Sequence, residues 1–164
     1  ITAPTGGVGH YAVQMARYLG AHVIAVTNAA NAALVKTLGA GQVLDYNTFD
    51  FETAESLQLD MILDIGGRYE ATRYQRHLKP GAIIYFLPHP LTDAEKAHYK
   101  AKGLDVRFTQ VFSDEKAITD IARLLKEGSI KSYIDKVYPF SAMKEAFEAV
   151  KKGTAKGKII ISME

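Results

Sequence analysis

Near its start the chain reads Ala3-Pro4-Thr5-Gly6-Gly7-Val8-Gly9, a glycine loop between the short apolar stretch Ile1-Thr2-Ala3 and a segment with helical spacing. That context decides what the glycines can do. A strand that turns directly into a helix leaves the first helical amides unpaired, and the peptide dipoles behind them favour an anion. Gly6 lets the backbone approach a pyrophosphate without a Cβ in the way, and Gly9 lets the helix pack close on the strand. Thr5, Gly6, Gly7, Val8 and Gly9 are therefore candidate ligands for the phosphates of a dinucleotide. In a protein that binds nothing the same residues would form a tight strand–helix turn. The complete strand–glycine–helix unit favours the dinucleotide.

A dinucleotide held there sends its adenosine ribose to the end of the next strand. An Asp or Glu about 20 residues past the glycines normally accepts from the ribose hydroxyls of NAD. This strand ends Val26-Thr27-Asn28-Ala29, and the first acid after the loop is Asp45. With no carboxylate to repel a 2′-phosphate, NADP is expected over NAD. Thr27, Asn28 and Asn31 can hydrogen-bond a phosphate, or Thr27 and Asn28 simply cap the following helix. Ligands of open α/β sheets bind at strand carboxyl ends, which adds Asp64, Gly66, Leu87, Pro88, Val111 and Phe112 as candidates. Asp64 has the alternative reading of a cap in a structural turn.

Other chemistries find no constellation. His89 and His98 are nine apart, without the spacing of a helical metal pair, and there is no cysteine to supply a thiolate. No metal ligand is expected. None of the nine tyrosines has a lysine four residues on, which removes a Tyr-x-x-x-Lys proton donor, and no Gly-x-Ser-x-Gly elbow is present. His10 reads as a partly exposed helix histidine. No catalytic residue is assigned.

The elements that must position the loop alternate. Near-continuous apolar runs at Ile1 to Ala3, His22 to Thr27, Gln42 to Leu44, Met61 to Ile65, Ala82 to Leu87 and Asp105 to Val111 read as parallel strands buried on both faces. Between them, Val8, Ala12, Met15, Ala16 and Leu19 make one helical stripe, and Ala33, Leu34 and Leu38 suggest another. Thr92-x-x-Glu95 and Ser113-Asp114-Glu115 look like helix starts, and Gly20, Gly39, Gly103 and Gly128 like helix stops. The pattern predicts a doubly wound six-stranded parallel sheet, an α/β fold of the Rossmann type. The unit covers 1–112, with its first strand cut short. Residues 113–164 break the rhythm: a helix over 113–127, a strand at Ile134–Pro139, a helix over 141–152 and the strand Lys158–Ser162. This tail either completes a sheet elsewhere or docks on the first unit. Only three residues precede the loop, so the chain reads as a piece of a larger protein.

At 164 residues, with 48% hydrophobic and 23% charged residues, the composition is that of an ordinary globular domain. A net charge of +2 from interspersed residues makes no basic stripe for nucleic acid, and the Lys/Glu-rich helix from Thr92 to Lys102 reads as a solvated face. No apolar run approaches the ~20 residues that span a bilayer, and the first residues show no signal-type pattern. The absence of cysteine is compatible with a reducing cytoplasm, the expected compartment.

Ala3-x-x-Gly6-Gly7-Val8-Gly9 followed by Tyr11-Ala12-Val13-Gln14-Met15-Ala16 resembles the medium-chain dehydrogenase/reductase superfamily, in its quinone oxidoreductase-like branch. "LGAGQVLDY" (38–46), "MILDIGG" (61–67), "LKPGAIIYFLP" (78–88) and "VYPFSAMKEAFEAVKKGTAKGKIII" (137–161) extend the likeness along the chain. The resemblance implies a coenzyme-binding domain and the tail that returns to a catalytic domain absent here. It further implies hydride transfer between NADP and a quinone or conjugated carbonyl, a small-molecule substrate held with the absent half, and dimers joined through the sixth strand. Tyr46 matches a tyrosine that the family uses near the 2′-phosphate, and Lys158 is a possible cation on the tail. The basic residue that such sequences often carry in the turn after the second strand is Ala30 here. A non-catalytic NADP(H)-sensing module and a fragment of a zinc-dependent alcohol dehydrogenase are the competing readings.

Overall fold

The computed structural model describes residues 1–163. Strands β1 (Ile24–Thr27) and β2 (Gln42–Asp45) pair in parallel, with Val26 opposite Leu44. Strands β3 (Leu59–Asp64), β4 (Leu78–Phe86) and β5 (Asp105–Phe108) form a second parallel sheet in the order β3-β4-β5. Helix α1 (Gly9–Tyr18) leads into β1, α2 (Ala32–Thr37) joins β1 to β2, and α3 (Asp93–Ala101) joins β4 to β5. A 3-10 segment at Ala71–His77 makes the β3–β4 crossover. Parallel neighbours require such crossovers, and the class is α/β as expected.

The sheet is not one of six strands. It is a two-stranded and a three-stranded sheet with Ile1 and Thr2 between them. The Ile1 amino group donates to Ile24 O at 2.8 Å, Val26 N donates to Ile1 O at 2.9 Å, and Thr2 N donates to Leu63 O at 3.1 Å. The expected first strand is reduced to the isolated Thr2–Val26 bridge and the Thr2–Leu63 hydrogen bond, because Ala3, with a φ of +46°, turns the chain out of the ladder. Towards the amino ends of β1 and β3, where Ile24, Leu44, Ile62 and Tyr74 face a common space, lies a cavity of about 410 Å³.

Strand β1 is covered on both faces, as its continuously apolar sequence requires. Strand β3 leaves Met61 52% exposed and β5 turns Asp105 and Arg107 to solvent, so burial on both faces does not extend to them. Ala25 packs with Val13 of α1 and Val35 of α2, while Val26 packs on the opposite face with Leu44, Ile62 and Ile84. The helix ends follow local chemistry. Thr92 and Glu95 form a reciprocal capping box, Thr92 Oγ1 accepting from Glu95 N at 3.2 Å and Glu95 Oε2 from Thr92 N at 2.7 Å. Asp114 caps α4 (Glu115–Lys126), Oδ1 accepting from Ala117 N at 2.7 Å. Gly39 closes α2 with a φ of +108°.

Strand β5 stops at Phe108, short of the expected Val111. It pairs Phe108 with Phe86, the last residue of β4, so the ladder ends there. Val111 and Phe112 lie beyond it, 94% and 77% exposed. In the tail, β6 (Ile134–Pro139) and β7 (Lys158–Ser162) make a separate parallel pair, with α5 (Met143–Lys151) between them in sequence. The tail docks on the first unit. Gly157 N donates to Thr5 O at 2.7 Å, the hydroxyls of Tyr11 and Ser132 share a hydrogen bond, and the Gln14 amide exchanges bonds with Lys131 N and O.

Candidate nucleotide site

Ala3 turns the chain out of the sheet with a φ of +46°, and its carbonyl accepts from Gly6 N at 3.2 Å. The loop then runs into α1, whose N-cap residue Val8 makes no side-chain cap. The amides of Gly7 and Val8 donate to nothing among the described residues, so no side chain competes for them. Each glycine has its own geometry. A Cβ on Gly9 would stand 2.1 Å from Ala3 O and 2.8 Å from Pro4 Cα, whereas one on Gly6 would meet only Ala3 O, at 3.5 Å. On Gly7 it would meet Lys158 Nζ at 3.3 Å and Gly157 O at 3.4 Å. Gly9 is thus required for packing, whereas a Cβ on Gly6 would make a single ordinary contact.

Beside the loop is a cavity of about 570 Å³ at the carboxyl ends of the strands. It is lined by Thr5 and Gly6 from the loop, Thr27, Asn28 and Asn31 from the end of β1, Tyr46 beyond β2 and Gly66 beyond β3. Arg68, Tyr69, Thr154 and Lys156 complete it. Asn28 does two things: its Oδ1 caps the short 3-10 turn by accepting from Asn31 N at 3.1 Å, and its Nδ2 donates to the Tyr46 hydroxyl at 3.3 Å. Asn31 Nδ2 donates to Thr27 Oγ1 at 3.3 Å.

The remaining candidates lie elsewhere. Asp64 is buried under the turn after β3, its Oδ1 accepting from Thr2 Oγ1 at 2.6 Å and Gly67 N at 3.0 Å. It braces the turn. The neighbouring Tyr74 hydroxyl is pushed far above its ordinary pKa, first by burial and then by the Asp64 charge. Lys158 stands against Gly7, not at the Tyr46 end. Leu87 and Pro88 follow β4, Pro88 packing near Gly67, and with Val111 and Phe112 they are outside the cavity. His10 is wholly buried, not partly exposed: Nδ1–H donates to Gly6 O at 2.8 Å, and Nε2 has no partner. Burial lowers its pKa, and the Lys158 charge adds to that against the opposing effect of the Gly6 carbonyl. The sequence pattern placed His10 one residue into the helix without showing that the loop folds over it.

Residues 38–161 match the family model described as "Zinc-binding dehydrogenase". The chain belongs to this zinc-binding dehydrogenase family, within the medium-chain dehydrogenase/reductase superfamily. It is 33% identical over 168 residues to the chloroplast envelope quinone oxidoreductase homolog of Arabidopsis thaliana, a match covering 98% of this chain and 51% of that protein. It is 30% identical over 186 residues to the mitochondrial NAD(P)H oxidoreductase RTN4IP1 of Bos taurus, covering 99% and 47%. The solved quinone oxidoreductase of Coxiella burnetii superposes with a TM-score of 0.89 at 26% identity, covering 99% of this chain and 51% of that one. The chain spans about half the length of these relatives. Their names place the first two in chloroplast and mitochondrion, neither of them a cytoplasmic setting. The name of the zinc-binding dehydrogenase family does not itself assign a metal: no group of three or more His, Asp or Glu among the described residues is arranged to hold one. No helix among them is long and apolar enough to cross a membrane.

Arg68 and Lys156 are cavity residues that sequence reasoning did not pick out. Each lies just past a glycine turn, after Gly66-Gly67 and after Gly153, and that is the only signal the sequence offers.

Proposed function

We propose that this chain is the NADP(H)-binding half of an oxidoreductase that passes hydride to a quinone or a conjugated carbonyl. One observation carries the cofactor: the cavity beside the open glycine loop is lined by two cations and by no carboxylate among the described residues. The donor set fits a phosphorylated dinucleotide. The amides of Gly7 and Val8 would hold the pyrophosphate, and Thr27, Asn28, Asn31 and Tyr46 the adenosine end. The nicotinamide, when bound, supplies the hydride chemistry, while these residues bind and orient. The names of the relatives, quinone oxidoreductase and NAD(P)H oxidoreductase, support the reaction class.

In this reading residues 1–112 form the nucleotide unit, and 113–164 return to a catalytic domain that holds the substrate. These residues alone have no reductase activity. The test is calorimetric titration of the intact protein with NADPH and NADH, followed by a hydride-transfer assay with quinones and enones. Tighter NADPH binding with turnover is the expected result. NADPH binding without turnover of any acceptor would make the protein a sensor, and preference for NADH would reject the NADP reading.

A further inference from the structure

A 2′-phosphate carries close to two negative charges, and burying it beside neutral amides alone leaves that charge uncompensated. The turn after β1 offers Asn28, Ala29, Ala30 and Asn31, none of them charged. The nearest acid in sequence, Asp45, is engaged elsewhere: Oδ2 accepts from Ala29 N at 3.0 Å, and Oδ1 from Asn47 N and Nδ2, both at 2.9 Å. It does not line the cavity.

The cation arrives from another strand. Arg68 follows β3, and its guanidinium carbon lies 3.9 Å from the centre of the Tyr46 ring and 5.8 Å from that of Tyr69. Tyr46 is itself fixed, its carbonyl accepting from the Tyr69 hydroxyl at 3.3 Å and its own hydroxyl from Asn28 Nδ2 at 3.3 Å. Among the described residues no carboxylate pairs with Arg68. A guanidinium stacked on a ring keeps its edge N–H groups free, and that planar fork matches two phosphate oxygens. We propose that Arg68, held on the face of Tyr46, is the phosphate ligand of this cavity and sets its preference for NADP(H) over NAD(H). This rests on the NADP(H) reading above. Lys156, on the same cavity, adds a second and less directed charge.

The test compares NADPH and NADH, which differ only in the 2′-phosphate, on the intact protein and on Arg68→Ala, Arg68→Lys and Lys156→Ala. Arg68 is exposed, so the variants should melt with the wild type. Arg68→Ala is expected to weaken NADPH at least ~10-fold, a change of about 1.4 kcal/mol, and to leave NADH within about twofold. Arg68→Lys, which keeps the charge and loses the planar fork, should fall between. If the wild type prefers NADPH but Arg68→Ala weakens both cofactors alike, or neither, the Arg68 assignment fails and the NADP(H) reading stands. The Arg68 assignment fails in the same way if Lys156→Ala carries the selective loss alone. A wild type without preference for NADPH overturns the NADP(H) reading first, and this assignment with it.

Discussion

Replacing Gly9 by alanine adds one methyl group at the tightest point of the loop. Its carbon would stand 2.1 Å from Ala3 O, 2.9 Å from Ala3 C and 2.8 Å from Pro4 Cα. All three are backbone atoms, so no rotamer change gives relief. Either α1 lifts from the sheet or the turn at Ala3, already in the left-handed region, distorts further. Lifting α1 exposes Val13 and His10, both 0% exposed. Overpacking of this kind costs ~1–3 kcal/mol, and the rigid neighbours argue for the upper end. Alanine in place of glycine returns up to about 1 kcal/mol through helix propensity. The net expectation is a loss of about 2 kcal/mol, which for a chain of this size lowers the melting temperature by roughly 4–8 °C.

The assay is thermal and urea unfolding followed by circular dichroism, with Gly6→Ala as control. At Gly6 the added carbon makes one ordinary contact, 3.5 Å from Ala3 O, so that variant should melt within about 2 °C of the wild type. A Gly9→Ala chain that melts at or above the wild type would refute the reasoning. So would a pair of variants with equal losses, since the structure makes the two glycines unlike.

Three further expectations concern other parts of the molecule. Asn28→Asp keeps the cap on Asn31 N but sets a carboxylate beside Tyr46. It should weaken NADPH at least ~10-fold relative to NADH, and unchanged selectivity by titration would misplace the adenosine end. The folded-state pKa of His10 is lowered by burial, so the unfolded chain binds its proton more readily. The contribution of His10 is complete above pH ~6.5 and is lost as pH falls through the lowered folded value. Urea midpoints at pH 7.5 and 5.5 should therefore diverge more for the wild type than for His10→Gln, and parallel behaviour would reject the burial argument. Finally, β5 is the edge of its sheet and its outer groups are open to a second copy. We expect a homodimer paired there, turned into a monomer by Phe108→Pro, with a wild-type monomer in light scattering at micromolar concentration as the contrary result.

The parts legible in the sequence are those fixed by chemistry within a few residues. The glycine loop, the Thr92–Glu95 capping box and the glycine that closes α2 each depend on neighbours no more than six positions away, Gly9 on Ala3 being the longest reach. Strand ends were less legible. The β-branched Thr109 and Val111 continue the strand pattern past Phe108, but β4 supplies no partner beyond Phe86. The sequence leaves Asp64 open between a cofactor contact and a cap in a structural turn, which the bond from Gly67 N decides for the turn, and it reads the His10 imidazole as partly exposed. Their burial is set by Thr2 and by the fold of the loop, which periodicity does not encode. Arg68 was invisible for the same reason. Its place on Tyr46 is created by bringing the residue after β2 and the turn after β3, which belong to different sheets, to one cavity.

The cavity does not follow the division of the chain at residue 112. The loop near the start and the turn before β7 are joined directly, Gly157 N donating to Thr5 O, and Gly157 itself lies so close to Tyr133 that a Cβ there would stand 2.1 Å from the Tyr133 carbonyl. That close approach fixes β6 against the start of β7, and Lys158 N donates to the same carbonyl at 2.8 Å. A Cβ on Gly7 would meet both Gly157 O and the Lys158 side chain, while Thr154 and Lys156 form a wall of the cavity. Residues 1–112 contain β1 to β5 and the loop glycines but not Thr154, Lys156 or Gly157. They would lose one of the two cations and the contact that holds Thr5 in place. The tail is therefore part of the candidate nucleotide site, and the alternating strand–helix pattern that marks the boundary in the sequence does not mark one in the chemistry.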